Sequence, residues 1–218
     1  MQSTEKETGR VETFFHSYAA EFDSIYGSRT NPFKRWVDRT FRQSMYRRFQ
    51  KTIEALDNPG IQSVLDVGCG SGRYALEYLR LNKEVVGIDL ARGMLDLAEK
   101  TSRESYPKGK FEYIMGDYLK HGFSRKFDAA VLIGFFDYIR TPEDVFKKLR
   151  GEVKTLLLAS FPRAGGLLGV QRKIRYSLRN VPLYLYKRED IDRIMANVGI
   201  TDYEILDLGR DFLLKARP

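Results

Sequence analysis

Cysteine occurs once in these 218 residues and histidine only twice. A single thiol allows no internal disulfide, which suits a reducing cytoplasm. So few imidazoles and thiols exclude a zinc cluster, and no metal site is expected. No apolar run approaches the length that crosses a bilayer. The opening Met1-Gln2-Ser3-Thr4-Glu5-Lys6-Glu7 is polar and lacks the apolar centre of a secretion signal, so no stable membrane insertion is expected. Internal repeats and low-complexity linkers are also missing. What remains is a length that fits one ordinary domain, with 43% hydrophobic residues to fill its core.

Charge is present and unevenly placed. The net charge is +8, yet residues 29–51 alone carry eight basic residues against the single acid Asp38. Residues 161–190 carry seven, among them Arg163, Arg172 and Arg175, against Glu189 and Asp190, which leaves the rest of the chain at −4. Two basic segments therefore flank an acidic to neutral centre. They suit an anionic acceptor, a nucleic acid or a membrane surface, or they are solvated helix faces.

The most specific pattern lies between them: Val64-Leu65-Asp66-Val67-Gly68-Cys69-Gly70-Ser71-Gly72-Arg73. Strand-forming residues run into a turn with three alternate glycines, and a helix follows at residues 74–81. Bare backbone at such a turn lets a nucleotide-like ligand approach closely. A dinucleotide fingerprint needs its third glycine one position later, where Arg73 stands, and no Gly-Lys-Ser/Thr follows for a P-loop. Asp66 would repel a pyrophosphate but would accept hydrogen bonds from an ammonium group. S-adenosyl-L-methionine offers an ammonium and a sulfonium and no phosphate. A second acid, Asp89, ends the next strand in Gly87-Ile88-Asp89, 23 residues beyond Asp66. An acid at that place is set to bind ribose hydroxyls or to cap the following helix at residues 93–100. A third acid, Asp117 in Met115-Gly116-Asp117-Tyr118, is placed to accept from an adenine amino group. Cys69 lies inside the turn, where a small side chain fills space rather than serving as a nucleophile.

Around this centre the pattern alternates strand and helix, which implies a parallel sheet. Residues 11–26 read as a helix with Phe14, Phe15, Tyr18 and Phe22 on one apolar face. A second helix spans residues 33–56 and is closed by Asp57-Asn58-Pro59-Gly60. Thr141-Pro142-Glu143-Asp144 marks a helix start. Residues 154–161 form a fifth strand, an insert fills 162–186, residues 189–197 form a helix, and residues 203–208 and 211–215 form two linked strands.

In order, these motifs resemble the class I S-adenosylmethionine-dependent methyltransferases, small-molecule type. Asp66 to Gly72 stands for the glycine motif, Gly87-Ile88-Asp89 for the ribose acid, Gly116-Asp117 for the adenine loop and Phe127-Asp128-Ala129-Ala130-Val131-Leu132 for the fourth strand. The resemblance covers residues 62–160. It implies a Rossmann-like α/β fold: a seven-stranded, mostly parallel sheet ending in an antiparallel hairpin, helices on both faces. Residues 1–60 would form a helical lid and 61–218 the core, with the substrate-side insert at 162–186. The implied cofactor is S-adenosyl-L-methionine, leaving as S-adenosyl-L-homocysteine. Its implied contacts are Tyr18, Asp66, Gly68, Cys69, Gly70, Gly72, Asp89, Leu90, Met94, Gly116, Asp117, Tyr118 and Gly134. Asp137, Tyr138 and His16 stand where the family has residues that touch the acceptor or take its proton, and Arg163, Arg172 and Arg175 are candidates for holding an acidic acceptor.

The reaction expected is methyl transfer to an oxygen, nitrogen or carbon of a small, anionic molecule by in-line displacement, by a monomer or homodimer. Nucleic acid is a competing acceptor. However, Gly134-Phe135-Phe136-Asp137 replaces the Asn/Asp-Pro-Pro-Tyr/Phe that marks enzymes of exocyclic base amines. A membrane-associated lipid or quinone precursor is a third acceptor, with Tyr184-Leu185-Tyr186-Lys187-Arg188 resting on an anionic surface. A cofactor-binding scaffold without activity is disfavoured by the intact acids and glycines.

Overall fold

In the computed structural model, the described residues are 32–165 and 182–218, with side chains from residue 43 onward. They form five helices and seven strands: α1 (Pro32–Leu56), β1 (Ser63–Val67), α2 (Arg73–Arg80), β2 (Glu84–Asp89), α3 (Arg92–Ser105), β3 (Phe111–Met115), β4 (Phe127–Leu132), α4 (Pro142–Glu152), β5 (Val153–Pro162), α5 (Arg188–Asn197), β6 (Tyr203–Asp207) and β7 (Asp211–Ala216). The helix expected at 11–26, with His16 and Tyr18, and Arg172 and Arg175 of the insert lie outside the described residues.

The seven strands form one sheet in the order β3-β2-β1-β4-β5-β7-β6. All neighbours are parallel except β7, which runs antiparallel to β5 and β6. The order reverses between β1 and β4, so the loops after these two strands diverge and leave a crevice at their carboxyl ends. This is the sheet the resemblance implies. β1 is buried along its whole length, as a central parallel strand covered on both faces must be.

Alternation along β1 assigns its side chains to two cores. Leu65 and Val67 join one cluster with Phe136, Phe146 and Phe161 beneath α4 and α5. Val64 joins the other with Tyr78 and Leu79 of α2 and Leu56 of α1. Asp66, two residues from Val64, shares the α2 face. In the first cluster the Phe136 ring stacks on Phe161 at 4.6 Å and on Phe146 at 5.2 Å. These buried rings anchor the segment after β4 from below and fix where the residues around it sit.

Element ends differ from the sequence reading by a residue or a turn. α3 runs to Ser105 rather than stopping at 100, because Met94, Leu95, Ala98 and Ser102 keep one buried stripe for a further turn. Pro142 does open α4, but Thr141 makes no side-chain cap. The insert is also shorter than 162–186. β5 continues through Pro162, and Arg163 bridges Tyr186 in parallel while Tyr184 N–H donates to the Asp137 carbonyl at 2.9 Å. Residues 182–186 thus return along the loop after β4.

Candidate functional site

The glycine turn is fastened from below. Gly68 N–H donates to the Ile88 carbonyl at 2.8 Å, and Gly70 N–H donates to Asp89 Oδ2 at 2.9 Å. Asp89 Oδ1 accepts from Ala91 N–H at 2.9 Å. The carboxylate therefore joins the turn to the entry of α3, with Leu90 N–H also bonding it, and keeps acceptor capacity for an incoming hydroxyl. It is not the residue immediately flanking that helix, which is Ala91. Burial raises the Asp89 pKa against the pull of these backbone N–H groups.

Two glycines of the turn have opposite surroundings. Both have left-handed backbone, with φ of 53° at Gly70 and 75° at Gly72. A Cβ on Gly72 would lie 2.9 Å from the Ala98 Cβ, inside the α2–α3 packing. A Cβ on Gly70 would meet nothing within 4 Å, and the same holds at Gly134 across the crevice. Gly72 is therefore needed for packing, whereas Gly70 and Gly134 present bare backbone to open space. Gly134 is held by its N–H donating to Ser160 Oγ at 2.8 Å, and Ser160 is buried.

Three buried side-chain polar atoms among the described residues have no hydrogen-bond partner: Asp66 Oδ2, Arg48 Nε and Tyr78 Oη. Asp66 and Tyr78 interact with Cys69 of this turn, and Arg48 interacts with Tyr74 just after it. Burial first, and then the charge of Asp89, pushes the Asp66 carboxyl up to about 8. Asp66 in turn is the foremost charge acting on Tyr78. Arg48 reaches in from α1. Its Nη1 donates to Asp211 Oδ2 at 3.0 Å, with the two side chains 12% and 7% exposed. Burial opposes its charge, but Asp211, Tyr74 and Asp137 outweigh that and raise its pKa. Tyr74, in the first turn of α2, feels both Arg48 and Asp66. A buried cation and a buried carboxyl group thus flank the crevice, each with an unused hydrogen-bonding atom. Buried polar groups are normally satisfied, so this pattern marks a place for a ligand. The complement of such a pair is a zwitterion.

Other candidates fall as follows. Asp137 is buried within Coulombic reach of Arg48, and Tyr138 beside it is half-buried. Gly116 N–H donates to the Asp89 carbonyl at 3.0 Å, and Asp117 Oδ1 accepts from Leu119 N–H at 3.0 Å, closing a tight turn at the rim. Leu90 is half-buried at the rim, Met94 is buried on the inner face of α3, and Cys69 is a buried free thiol. The structure departs from expectation at two residues. Tyr118 points into the core rather than the crevice, its hydroxyl donating to Glu152 Oε2 at 2.8 Å with the Lys148 ammonium 5.1 Å from its ring. Apolar burial of the ring against the first core outcompetes the rim position. Arg163, expected to hold an acceptor, is engaged by Asp207 at 2.8 Å and lies over the Phe212 ring.

Arg48 and Asp211 were not legible as site residues. Arg48 counts as one of many basic residues in α1. The available signal is its stripe: Ser44 and Thr52, four residues to either side, are also buried. Small polar neighbours at that spacing mark a helix face turned inward.

Comparison with known proteins agrees with this geometry. Residues 64–155 match the family model described as a methyltransferase domain. The chain is 29% identical over 120 residues to Bacillus subtilis YqeM, a match covering 55% of this chain and 47% of that protein. It is 32% identical over 94 residues to the ubiquinone biosynthesis O-methyltransferase of Albidiferax ferrireducens, covering 43% and 37%. The chain thus spans less than half the length of these curated relatives. Among solved structures, magnesium protoporphyrin IX methyltransferase from Synechocystis PCC 6803 with bound SAH shares the fold, with a TM-score of 0.74 at 21% identity over 95% of this chain and 97% of that one.

Proposed function

We propose that this chain, whose residues 64–155 form a methyltransferase domain of the class I S-adenosylmethionine-dependent family, binds S-adenosyl-L-methionine in the crevice and methylates a small molecule. The observation that carries the reading is the pair of unsatisfied buried polar atoms, Asp66 Oδ2 and Arg48 Nε, beside the open backbone of Gly70 and Gly134. An amino-acid end answers both at once: Asp66 takes the ammonium and Arg48 the carboxylate. Asp89 receives the ribose hydroxyls on its remaining lone pairs, and Asp117 the adenine amino group. When bound, the cofactor supplies an electrophilic methyl on a sulfonium, transferred in line to the acceptor. The protein's part is alignment of acceptor and methyl, with water kept out. Asp137, whose charge acts on Arg48, is proposed to touch the acceptor beside it. Tyr138 at the crevice mouth, and His16 of the N-terminal segment, remain the groups proposed to meet an acceptor proton.

The acceptor is proposed to be small and anionic, with Arg172 and Arg175 of the insert as its anchors. A second reading, a planar quinone-type precursor, is favoured by the half-buried rings of Phe135, Tyr138 and Tyr184 near the crevice and by the ubiquinone relatives. In calorimetry on ligand-free protein, S-adenosyl-L-methionine and S-adenosyl-L-homocysteine should bind and NADH should not. Binding of neither sulfur compound would overturn the assignment.

The Asp66 carboxyl adds a pH signature. With its pKa raised to about 8, it is mostly protonated at neutral pH in the free protein. Pairing with an ammonium requires the ionised form, so binding must expel a proton. Affinity for S-adenosyl-L-homocysteine is expected to rise up to about tenfold between pH 6.5 and 7.5. At pH 6.5, titrations in buffers of different ionisation enthalpy should report release of nearly one proton. A flat pH profile with no proton release would show that Asp66 does not receive the ammonium.

A further inference from the structure

We propose that Asp211 is a positioning residue: it holds one edge of the Arg48 guanidinium so that Nε stays turned to the carboxylate of the bound cofactor. This rests on the cofactor reading above. The topology explains why Asp211 can serve. β7 is antiparallel to its neighbours, so its first residue pairs with Pro162 at the last position of β5. The start of β7 therefore lies on the same edge of the sheet as the ends of the parallel strands, where the crevice is. Both partners are buried, and Asp211 Oδ2 accepts from Arg48 Nη1 at 3.0 Å while Nε has no partner. The guanidinium is planar and rigid, so anchoring one nitrogen sets the direction of the others. A second tie, Ser44 Oγ donating to the Leu208 carbonyl at 3.1 Å, fixes the same helix face to the β6–β7 turn one helical turn away. The helix therefore keeps a tie to this turn that does not pass through the carboxylate. A buried ion pair is weak evidence for stability, so the role assigned here is orientation.

The test compares two ligands of the purified full chain. S-adenosyl-L-homocysteine carries the amino-acid end, whereas 5′-methylthioadenosine has the same nucleoside and thioether without it. Asp211→Asn is expected to weaken S-adenosyl-L-homocysteine binding about tenfold and to leave 5′-methylthioadenosine binding within twofold of wild type. Asp211→Glu keeps the charge but shifts it by one methylene. It should show the same selectivity with a smaller loss, and serves if the asparagine variant does not fold. In an Arg48→Ala background, Asp211→Asn should add no further loss for S-adenosyl-L-homocysteine. Equal losses for both ligands in the folded variants would mean a structural role, and no loss for either would mean no role; both overturn the proposal. If wild-type protein binds neither ligand, the cofactor reading itself fails.

Discussion

Asp66→Asn is expected to lower affinity for S-adenosyl-L-homocysteine about a hundredfold while leaving the protein folded and, above neutral pH, more stable than wild type. The two effects have one cause. Asp66 is buried, with Oδ2 unpartnered, and its carboxyl is raised to about 8 by burial and by Asp89. The folded state therefore holds a proton there that the unfolded chain releases near its ordinary value of 3.8. The native state binds more protons than the unfolded state between about pH 4 and 8, so wild-type stability falls as pH rises through that window. Asparagine has the shape of the protonated acid and no charge to expose. Its stability advantage should grow by on the order of 3 kcal/mol between pH 5 and 8. Binding responds the other way, because the ammonium loses the buried counter-charge proposed for it and about 3 kcal/mol with it. Thermal melts at both pH values with ligand titrations check both parts. A variant that loses stability at pH 8, or that binds normally, would refute this account of a carboxylate kept for a ligand at a cost to the fold.

The second large effect separates the two glycines of the turn. Gly72→Ala is expected to destabilise by about 3 kcal/mol. A left-handed backbone costs alanine about 1 kcal/mol, and the new methyl would sit 2.9 Å from the Ala98 Cβ between two packed helices, adding overpacking of about 2 kcal/mol. For a chain of this size that lowers Tm by about 10 °C. Gly70→Ala pays only the backbone cost, since nothing lies within 4 Å of its Cβ. Its Tm should fall by about 3 °C, yet its cofactor affinity should fall about a hundredfold because the methyl fills the approach. Melting curves and titrations of the two variants should therefore reverse in rank. If Gly70→Ala binds like wild type, the open side of the turn does not face the cofactor.

What could be read from the sequence was what is local. The strand, turn and acid at 64–73, the second acid at 89 and the alternation of elements each lie within a short window. They give the sheet, its switch point and two of the acids around the crevice. Boundaries slipped where burial of a stripe, as in α3, outlasted the propensity signal. Two side-chain readings failed because tertiary partners took the groups: Glu152 took Tyr118, and Asp207 took Arg163. The Arg48–Asp211 pair could not be read, since its partners are 163 residues apart and each looks like an ordinary surface charge. The basic count of residues 29–51 concealed Arg48, whose guanidinium is largely enclosed.

That separation also orders events on the ribosome. The glycine turn, Asp66 and Asp89 leave the exit tunnel early, but the arginine that completes the crevice is aligned only once the first residue of β7 has emerged. A nascent chain can build most of the sheet without acquiring a finished pocket. If Asp211 positions Arg48 as proposed, the cofactor binds most tightly once synthesis has passed Asp211 and both ends of the described fold have met, and it then stabilises completed molecules most.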